Sequence, residues 1–519
     1  VEVETETRRA TGGATERAFL AASEIFARWD AERERSPVDR VVASEFRGRR
    51  YLNSGERRWV SSVVYGCVRN LRRQIWLLER LGLPPEPLNI VRLWTALPAE
   101  ADADEVALRG PNAALPVTPE EIALAWEALP APDAVRDHLR ITLSFPDDMA
   151  DELIELLGED AVPAAAALNA QAPTTLRVNP LRVGRDHLLR ALPQATPTHY
   201  SPWGLELPRR VNVPDLPGFR TGWFEVQEEA SQLAALLADP LPGQTVVEIG
   251  AGAGGKTLAL AALMDNRGTL LAVDTNAARL EELKRRAERA GVTCVQTVRV
   301  DADDMGWWQP GTAARRTLNK VQARADLVLI DAPCTGSGVL RRSPDAKWRE
   351  MDRARLLALQ QTLLAQGAMM TAPRGHLIYV TCAFERDQNE ETIAAFQQTE
   401  IGRQFVVEPV AQRLTAACAR AARLALLPPA LRSAKSGRAS ASVVEPGISV
   451  EQADASDNSS PEADTESDAM AAGRASVDAA VTMPDLLSGS MLRTWPHRHG
   501  LDAFFVACLR RAAIDPNEP

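Results

Sequence analysis

Residues 245–257 read TVVEIGAGAGGKT, an apolar run that ends in a glycine-rich turn. The turn fits three patterns at once. Gly250, Gly255, Lys256 and Thr257 satisfy G-x-x-x-x-G-K-[ST], the phosphate loop of an NTPase. Gly250, Gly252 and Gly255 satisfy G-x-G-x-x-G, the dinucleotide fingerprint. Glu248, Gly250, Gly252 and Gly254 give the acidic-x-G-x-G-x-G turn common in methyltransferases that use S-adenosylmethionine. The stretch alone does not choose among the three, so the remainder of the chain must.

From about residue 241 the pattern is strand then helix. TVVEIG leads through the turn into KTLALAALM, and GTLLAVD is followed by AARLEELKRRAERAG. TCVQTVRVD, ADLVLID and HLIYVTC follow, each apolar and each ending in a polar residue. Such alternation predicts a mostly parallel sheet with helices on both faces. Ligands bind such sheets beyond the carboxyl ends of the strands. Glu248, Asp274, Asp301, Asp331 and Cys382 all fall at those ends.

Residues 15–150 have apolar positions at three- and four-residue spacing, as in RAFLAASEIFARWDAERE and ERRWVSSVVYGCVRNLRRQIWLLERLGL, the second ending at Gly82. PDDMADELIELLGEDAVPAAAALNAQ predicts a further pair of helices. TTLRVNPLRV, SPWGLELP and VNVPDLPGF read as short strands and loops. Residues 433–487 are rich in Ser, Ala, Asp and Glu and are expected to be disordered, because they cannot bury enough apolar surface to offset ordering entropy. MLRTWPHRHGLDAFFVACLRR predicts a turn and a hydrophobic final strand.

A formal net charge of -10 argues at first against a nucleic-acid partner. Ten acidic and three basic residues lie between Ser433 and Asp485, so this segment carries most of that charge. Elsewhere Arg47, Arg49, Arg50, Arg57 and Arg58, then Arg69, Arg72 and Arg73, then Arg341 and Arg342, form basic clusters. Each taken alone is a solvated face. No run of about 18 apolar residues predicts a membrane span. The opening VEVETETRRATGG has no apolar signal-peptide core and no initiator Met, so a cytoplasmic chain, processed or truncated at its start, is expected. The six Cys are scattered, which predicts reduced thiols and no metal site.

Two later segments arbitrate. They are DAPCTGSGVLRRSPDAKW (331–348) and YVTCAFERDQNEE (379–391). Neither serves phosphate or hydride transfer. Asp331 after an apolar strand could hold Mg²⁺, and Asp274 is well spaced for a ribose, but acidic strand ends are common to many doubly wound folds. Each segment places a Cys directly after a strand, where a thiolate can act as nucleophile. A single Cys there more often packs as a small hydrophobe. Two, on neighbouring strand ends beside a cofactor turn, favour chemistry.

These motifs resemble those of the Sun/Nop family of RNA cytosine-5 methyltransferases, and most of all its bacterial RsmB-type branch, which acts on small-subunit ribosomal RNA. The likeness extends to LRVNPLR (176–182), GWFEVQEEASQL (222–233) and WPHRHGLDAFFVACLRR. YLNSGERRWVSSVVYGCVRNLRR resembles the NusB-like RNA-binding domain of bacterial members. The resemblance implies an α/β fold: a Rossmann-like S-adenosylmethionine methyltransferase sheet with an N-terminal all-helical NusB-like domain. The expected organisation is a flexible 1–14, a helical domain over 15–150, a linker and first part of the catalytic region over 151–240, the methyltransferase domain over 241–432, the acidic insert 433–487, and a closing segment 488–519.

The resemblance also implies roles. Cys382 is the nucleophile that adds to carbon 6 of cytosine, and Cys334 serves product release. Asp331 hydrogen-bonds the ring near N3, and Lys256 belongs to the active site. Gly250, Ala251, Gly252, Ala253, Gly254, Gly255 and Lys256 cradle S-adenosylmethionine, with Asp274 at the ribose, Asp301 by the adenine, and Asp331 alongside. Arg341, Arg342, Arg177 and Asn179 contact RNA. The partner is ribosomal RNA of the small subunit, the chain is a monomer, and no membrane or metal is involved. One departure stands out: the family turn usually reads D-x-C-A-A-P-G-G-K-T, and here Gly250 and Ala253 replace its Cys and Pro, which predicts a more flexible turn. Two other functions stay open, an RNA-binding ribosome-assembly factor with decayed catalysis and a P-loop NTPase.

Overall fold

The inner parallel strands are largely apolar because both of their faces are covered. In the computed structural model, which describes residues 14–97, 115–208, 211–301, 313–426 and 486–513, they form the centre of a nine-stranded sheet. All but the last two residues of the expected disordered stretch lie outside the described residues.

Numbering strands along the chain, the first four are β1 (Thr174–Val178), β2 (Thr196–Pro197), β3 (Gly204–Leu207) and β4 (Phe224–Val226). The central sheet follows with β5 (Thr245–Ile249), β6 (Thr269–Asp274), β7 (Val295–Arg299), β8 (Ala325–Asp331) and β9 (Thr371–Thr381). It is completed by β10 (Phe405–Val407), β11 (Leu487–Ser488), β12 (Met491–Arg493) and β13 (Phe505–Arg511). The order is β11-β12-β13-β9-β8-β5-β6-β7, with β10 on β13. Strands β5 to β9 pair in parallel, and β13 runs antiparallel to β9.

Successive side chains of these strands go to opposite faces. Val246, Leu270, Leu327, Ile378 and Val506 join the core beneath Gly255–Leu263, Glu229–Ala238 and Val410–Leu426. Val247, Leu271, Val328, Leu377 and Phe505 join the opposite core, under Arg353–Met370 and Glu390–Gln398. The alternation read from the sequence is thus observed, with an antiparallel extension whose two- and three-residue strands are too short to show a period.

Residues 174–226 build a second, antiparallel sheet of order β2-β3-β1-β4, with its own core of Leu176, Val178, Leu188, Leu205 and Phe224. The run VNVPDLPGF is no strand. Val213–Asp215 is a short 3₁₀ turn, since Pro214 has no N–H to donate to a ladder.

The N-terminal region is helical. Ala14–Glu32, Val38–Gly48, Ser54–Arg69, Leu71–Arg80 and Pro87–Ala96 enclose Phe19, Ile25, Phe26, Trp29, Val60, Val64 and Leu77. Ser54–Arg69 begins at a capping box made by Asn53 and Glu56. The periodic stretch that ends at Gly82 is two helices, broken at Asn70. The two regions interlock. Lys347 donates to the carbonyls of Arg69 and Ser144, each at 3.1 Å, and Trp348 Nε1 donates to the Val68 carbonyl at 2.8 Å. Among the described residues no helix is long and apolar enough to cross a membrane.

Candidate active site

The turn after β5 is made by backbone geometry that only glycine adopts easily. Gly250, Gly252 and Gly254 have φ of 79°, 55° and 89°. A Cβ at Gly250 would stand 2.3 Å from the Asp331 carbonyl oxygen, so its absence lets the turn pass the end of β8. Glycine at 250 is what this path requires. At Gly252 a Cβ would meet nothing nearer than 4.0 Å, so the crest of the turn faces open space.

Asp274, at the end of β6, is held in place by the turn. Its carboxylate accepts from Gly252 N–H and Asn276 N–H, each at 2.7 Å. Glu248 is buried, and burial pushes its carboxyl up to about 8. Its Oε2 has no hydrogen-bond partner among the described residues. Open space and an oriented carboxylate fit a ligand that carries a diol. Asp301, just past β7, is exposed.

Lys256 leaves the first turn of Gly255–Leu263 and turns towards β8. Its Nζ is 2.7 Å from Asp331 Oδ2 and 5.5 Å from the centroid of the Phe504 ring. Burial works against its charge, but the Asp331 carboxylate more than offsets this and raises its pKa. The lysine that the phosphate-loop pattern needs is therefore engaged across the sheet edge.

The parallel register of β8 and β9 sets Asp331 opposite Val380, and Ala332 N–H donates to the Val380 carbonyl at 2.9 Å. The loops that leave these strands then bring Cys334 Sγ and Cys382 Sγ to 3.3 Å, both half-buried and free of disulfide. Gly338 N–H donates to the Cys382 carbonyl at 2.9 Å, and a Cβ at Gly338 would stand 1.9 Å from the Ala503 carbonyl oxygen. The thiols titrate together. The hydrogen bond from Cys382 draws the Cys334 thiol below its usual range, and the same contact, with burial, pushes Cys382 well above it.

The four residues expected at RNA fare differently. Arg177 is 2% exposed, donates to the Gly255 carbonyl at 2.6 Å and to Gln227, and burial lowers its pKa to about 10. Asn179 is 4% exposed and donates to the carbonyls of Gly222 and Ala290, each at 2.9 Å. Arg177 ties the small sheet to the glycine turn at Gly255, and Asn179 ties it to the end of the helix Ala277–Ala290 with both amide hydrogens spent on the protein; their burial argues against the expected RNA role. Arg341 is largely buried and donates to the Gly500 carbonyl at 2.6 Å. Arg342 donates to Asp502 at 2.9 Å and stays partly exposed. Arg341 and Arg342 line a cavity of about 300 Å³ between the helical region and the catalytic sheet, with Asp39, Ser61, Tyr65 and Thr174.

Sequence reasoning passed over Thr335, Ser337, Glu385 and Gln388, which tie the two cysteine loops together. Their only signal was position inside the two cysteine motifs. Phe504, over Lys256, was legible only as part of the closing motif.

A doubly wound sheet with its ligand turn after one inner strand, an acid ending the next, and an antiparallel closing strand defines the class: an S-adenosylmethionine-dependent methyltransferase. Residues 235–434 match the family model for the 16S rRNA methyltransferase RsmB/F, and residues 145–214 match that for an RsmF/B-like ferredoxin-like domain. The probable ribosomal RNA small subunit methyltransferase B of Synechocystis is 31% identical over 376 residues, which cover 67% of this chain and 82% of that protein. The ribosomal RNA small subunit methyltransferase B of Pseudomonas syringae is 35% identical over 237 residues, covering 44% and 50%. The crystal structure of PH0851 superposes with a TM-score of 0.65 at 22% identity, covering 96% of this chain and 99% of that one. The chain belongs to the RsmB/F family of methyltransferases. Its methyl donor is S-adenosylmethionine.

Proposed function

We propose that this protein methylates carbon 5 of a cytosine in small-subunit ribosomal RNA through a covalent cysteine adduct. The observation that carries the reading is the 3.3 Å approach of Cys334 and Cys382, beside the Lys256–Asp331 pair. Carbon 5 of cytosine is a poor nucleophile until something adds at carbon 6. A thiolate suits this, because sulfur attacks well and also leaves.

In this reading the resting charge lies on Cys334. Cys334 takes the proton of Cys382 across the short contact, and Cys382 Sγ bonds to carbon 6. The electron pair displaced towards carbon 5 forms the new bond to the methyl group that S-adenosylmethionine supplies, as that methyl's bond to the donor sulfur breaks and S-adenosylhomocysteine leaves. Asp331, oriented by Lys256, hydrogen-bonds the ring near N3 and stabilises the activated base. A base then removes the carbon-5 proton and the sulfur–carbon bond breaks. Cys334 returns its proton to the departing sulfur, which restores the starting state. The cofactor rests on residues 250–256, with Asp274 at the ribose and Asp301 at the adenine. The target base leaves its stack to reach Cys382. Arg342, at the cavity between the two regions, meets the RNA backbone.

The test is transfer of radiolabelled methyl groups to 16S ribosomal RNA, with the modified position mapped as 5-methylcytosine. RNA binding without transfer would favour an assembly factor. Binding of ATP in place of S-adenosylmethionine would favour the NTPase.

A further inference from the structure

Between the two cysteine loops lies a buried carboxyl group that the chemistry above does not use. Glu385 is 1% exposed, and no lysine or arginine pairs with it among the described residues. It accepts from Ser337 Oγ at 2.7 Å and from Thr335 Oγ1 at 2.9 and 3.0 Å. Thr335 follows Cys334 directly, and Glu385 lies three residues after Cys382. The network closes on itself. Ser337 Oγ accepts from Phe384 N–H at 3.0 Å, Thr335 Oγ1 accepts from Gln388 Nε2 at 3.2 Å, and Thr335 N–H donates to Gln388 Oε1 at 3.0 Å. Gln360, from the helix Arg353–Met370, donates to the Pro333 carbonyl at 2.9 Å and so braces the same loop.

We propose that Glu385, acting through Thr335 and Ser337, is a positioning residue that fixes Cys334 against Cys382 for the release of methylated RNA. The inference rests on the two-cysteine reading above. A carboxyl group buried without a cation is costly, and burial pushes the Glu385 carboxyl up. Two hydroxyl donors from the loop of one cysteine meet it on the loop of the other, so shifting either loop leaves the acid unsatisfied. That penalty makes the separation of the sulfurs stiff. Proton return over a sulfur–sulfur contact depends on that separation, and a misplacement of about 1 Å can cost a reaction step about 100-fold.

The experiment uses the full chain, S-adenosylmethionine and 16S ribosomal RNA, and compares wild type, Cys334→Ala, Glu385→Gln, Thr335→Val and Thr335→Ser. Covalent protein–RNA adduct is read on denaturing gels, and melting temperature is recorded for each variant. Glu385→Gln, which turns one of the two acceptor oxygens into a donor facing hydroxyl donors, and Thr335→Val, which removes the hydroxyl, should slow release at least about tenfold and accumulate adduct. Thr335→Ser, which keeps the hydroxyl, should behave as wild type. A merely structural role predicts lower melting temperatures and less total product with no adduct. Adduct in Cys334→Ala but in neither Glu385→Gln nor Thr335→Val overturns the inference alone. No adduct in Cys334→Ala overturns the two-cysteine reading and this inference with it.

Discussion

Lys256 Nζ lies 2.7 Å from Asp331 Oδ2, and this contact joins the helix that follows the glycine turn to the strand end that precedes Cys334. Lys256 is 7% exposed, whereas the Asp331 side chain is 34% exposed. Removing the lysine therefore leaves an acid that water can reach, and the fold should tolerate the change. Lys256→Met should lower the single-turnover methylation rate by about 10²–10³-fold, the scale of losing one preorganised electrostatic group. Its melting temperature should stay close to wild type. A rate within about threefold of wild type would remove Lys256 from the active site.

Asn179 separates structure from RNA contact. Asn179→Ala leaves the Gly222 and Ala290 carbonyls without their donor. The expected cost is about 2–3 kcal/mol in urea unfolding, with unchanged RNA affinity for the folded fraction. Weaker RNA binding at unchanged stability would restore the RNA role.

Gly250 tests whether the altered turn is a loosened form of the family pattern. Gly250→Cys puts back the residue the family turn usually carries. At φ 79°, with a Cβ 2.3 Å from the Asp331 carbonyl oxygen, it should destabilise the fold and weaken S-adenosylmethionine binding. Calorimetric titration and thermal melts read both effects. Tighter cofactor binding by Gly250→Cys would show that the glycine path is no requirement.

Glu248 gives the protein a pH signature. Its carboxyl is raised to about 8 by burial, against about 4.3 for a free Glu. Between these values the folded state holds a proton that the unfolded state has lost. Its contribution to stability is therefore complete below the lower value and is lost as pH rises through the upper one. Glu248→Gln, neutral throughout, should flatten the fall in stability over that window. Parallel stability–pH curves for variant and wild type would mean that Glu248 is ionised in the folded protein.

The central sheet was legible because β5, β6, β8 and β9 are largely apolar runs, with Glu248, Asp274, Asp331 and Thr381 at or beside their ligand-edge ends. Cys334 and Cys382 were legible for the same reason: each follows such a strand. Burial was not legible where polar residues serve as struts. Arg177 and Asn179 look like surface chemistry in LRVNPLR, and only the packing of the small sheet on the glycine turn and on the end of the helix Ala277–Ala290 shows that they are buried and hydrogen-bonded within the protein. The break at Asn70 escaped notice because apolar spacing continues through it. The Glu385 contacts escaped notice because they join residues 48 to 50 positions apart through hydroxyls, which leave no periodic trace.

The two-cysteine reading is tested most directly by the fate of RNA on Cys334→Ala and Cys382→Ala. Incubated with S-adenosylmethionine and 16S ribosomal RNA, Cys334→Ala should accumulate a protein–RNA band that survives denaturing electrophoresis, and Cys382→Ala should form no such band and no methylated product. Normal turnover by Cys334→Ala, or an adduct formed by Cys382→Ala, would contradict the account.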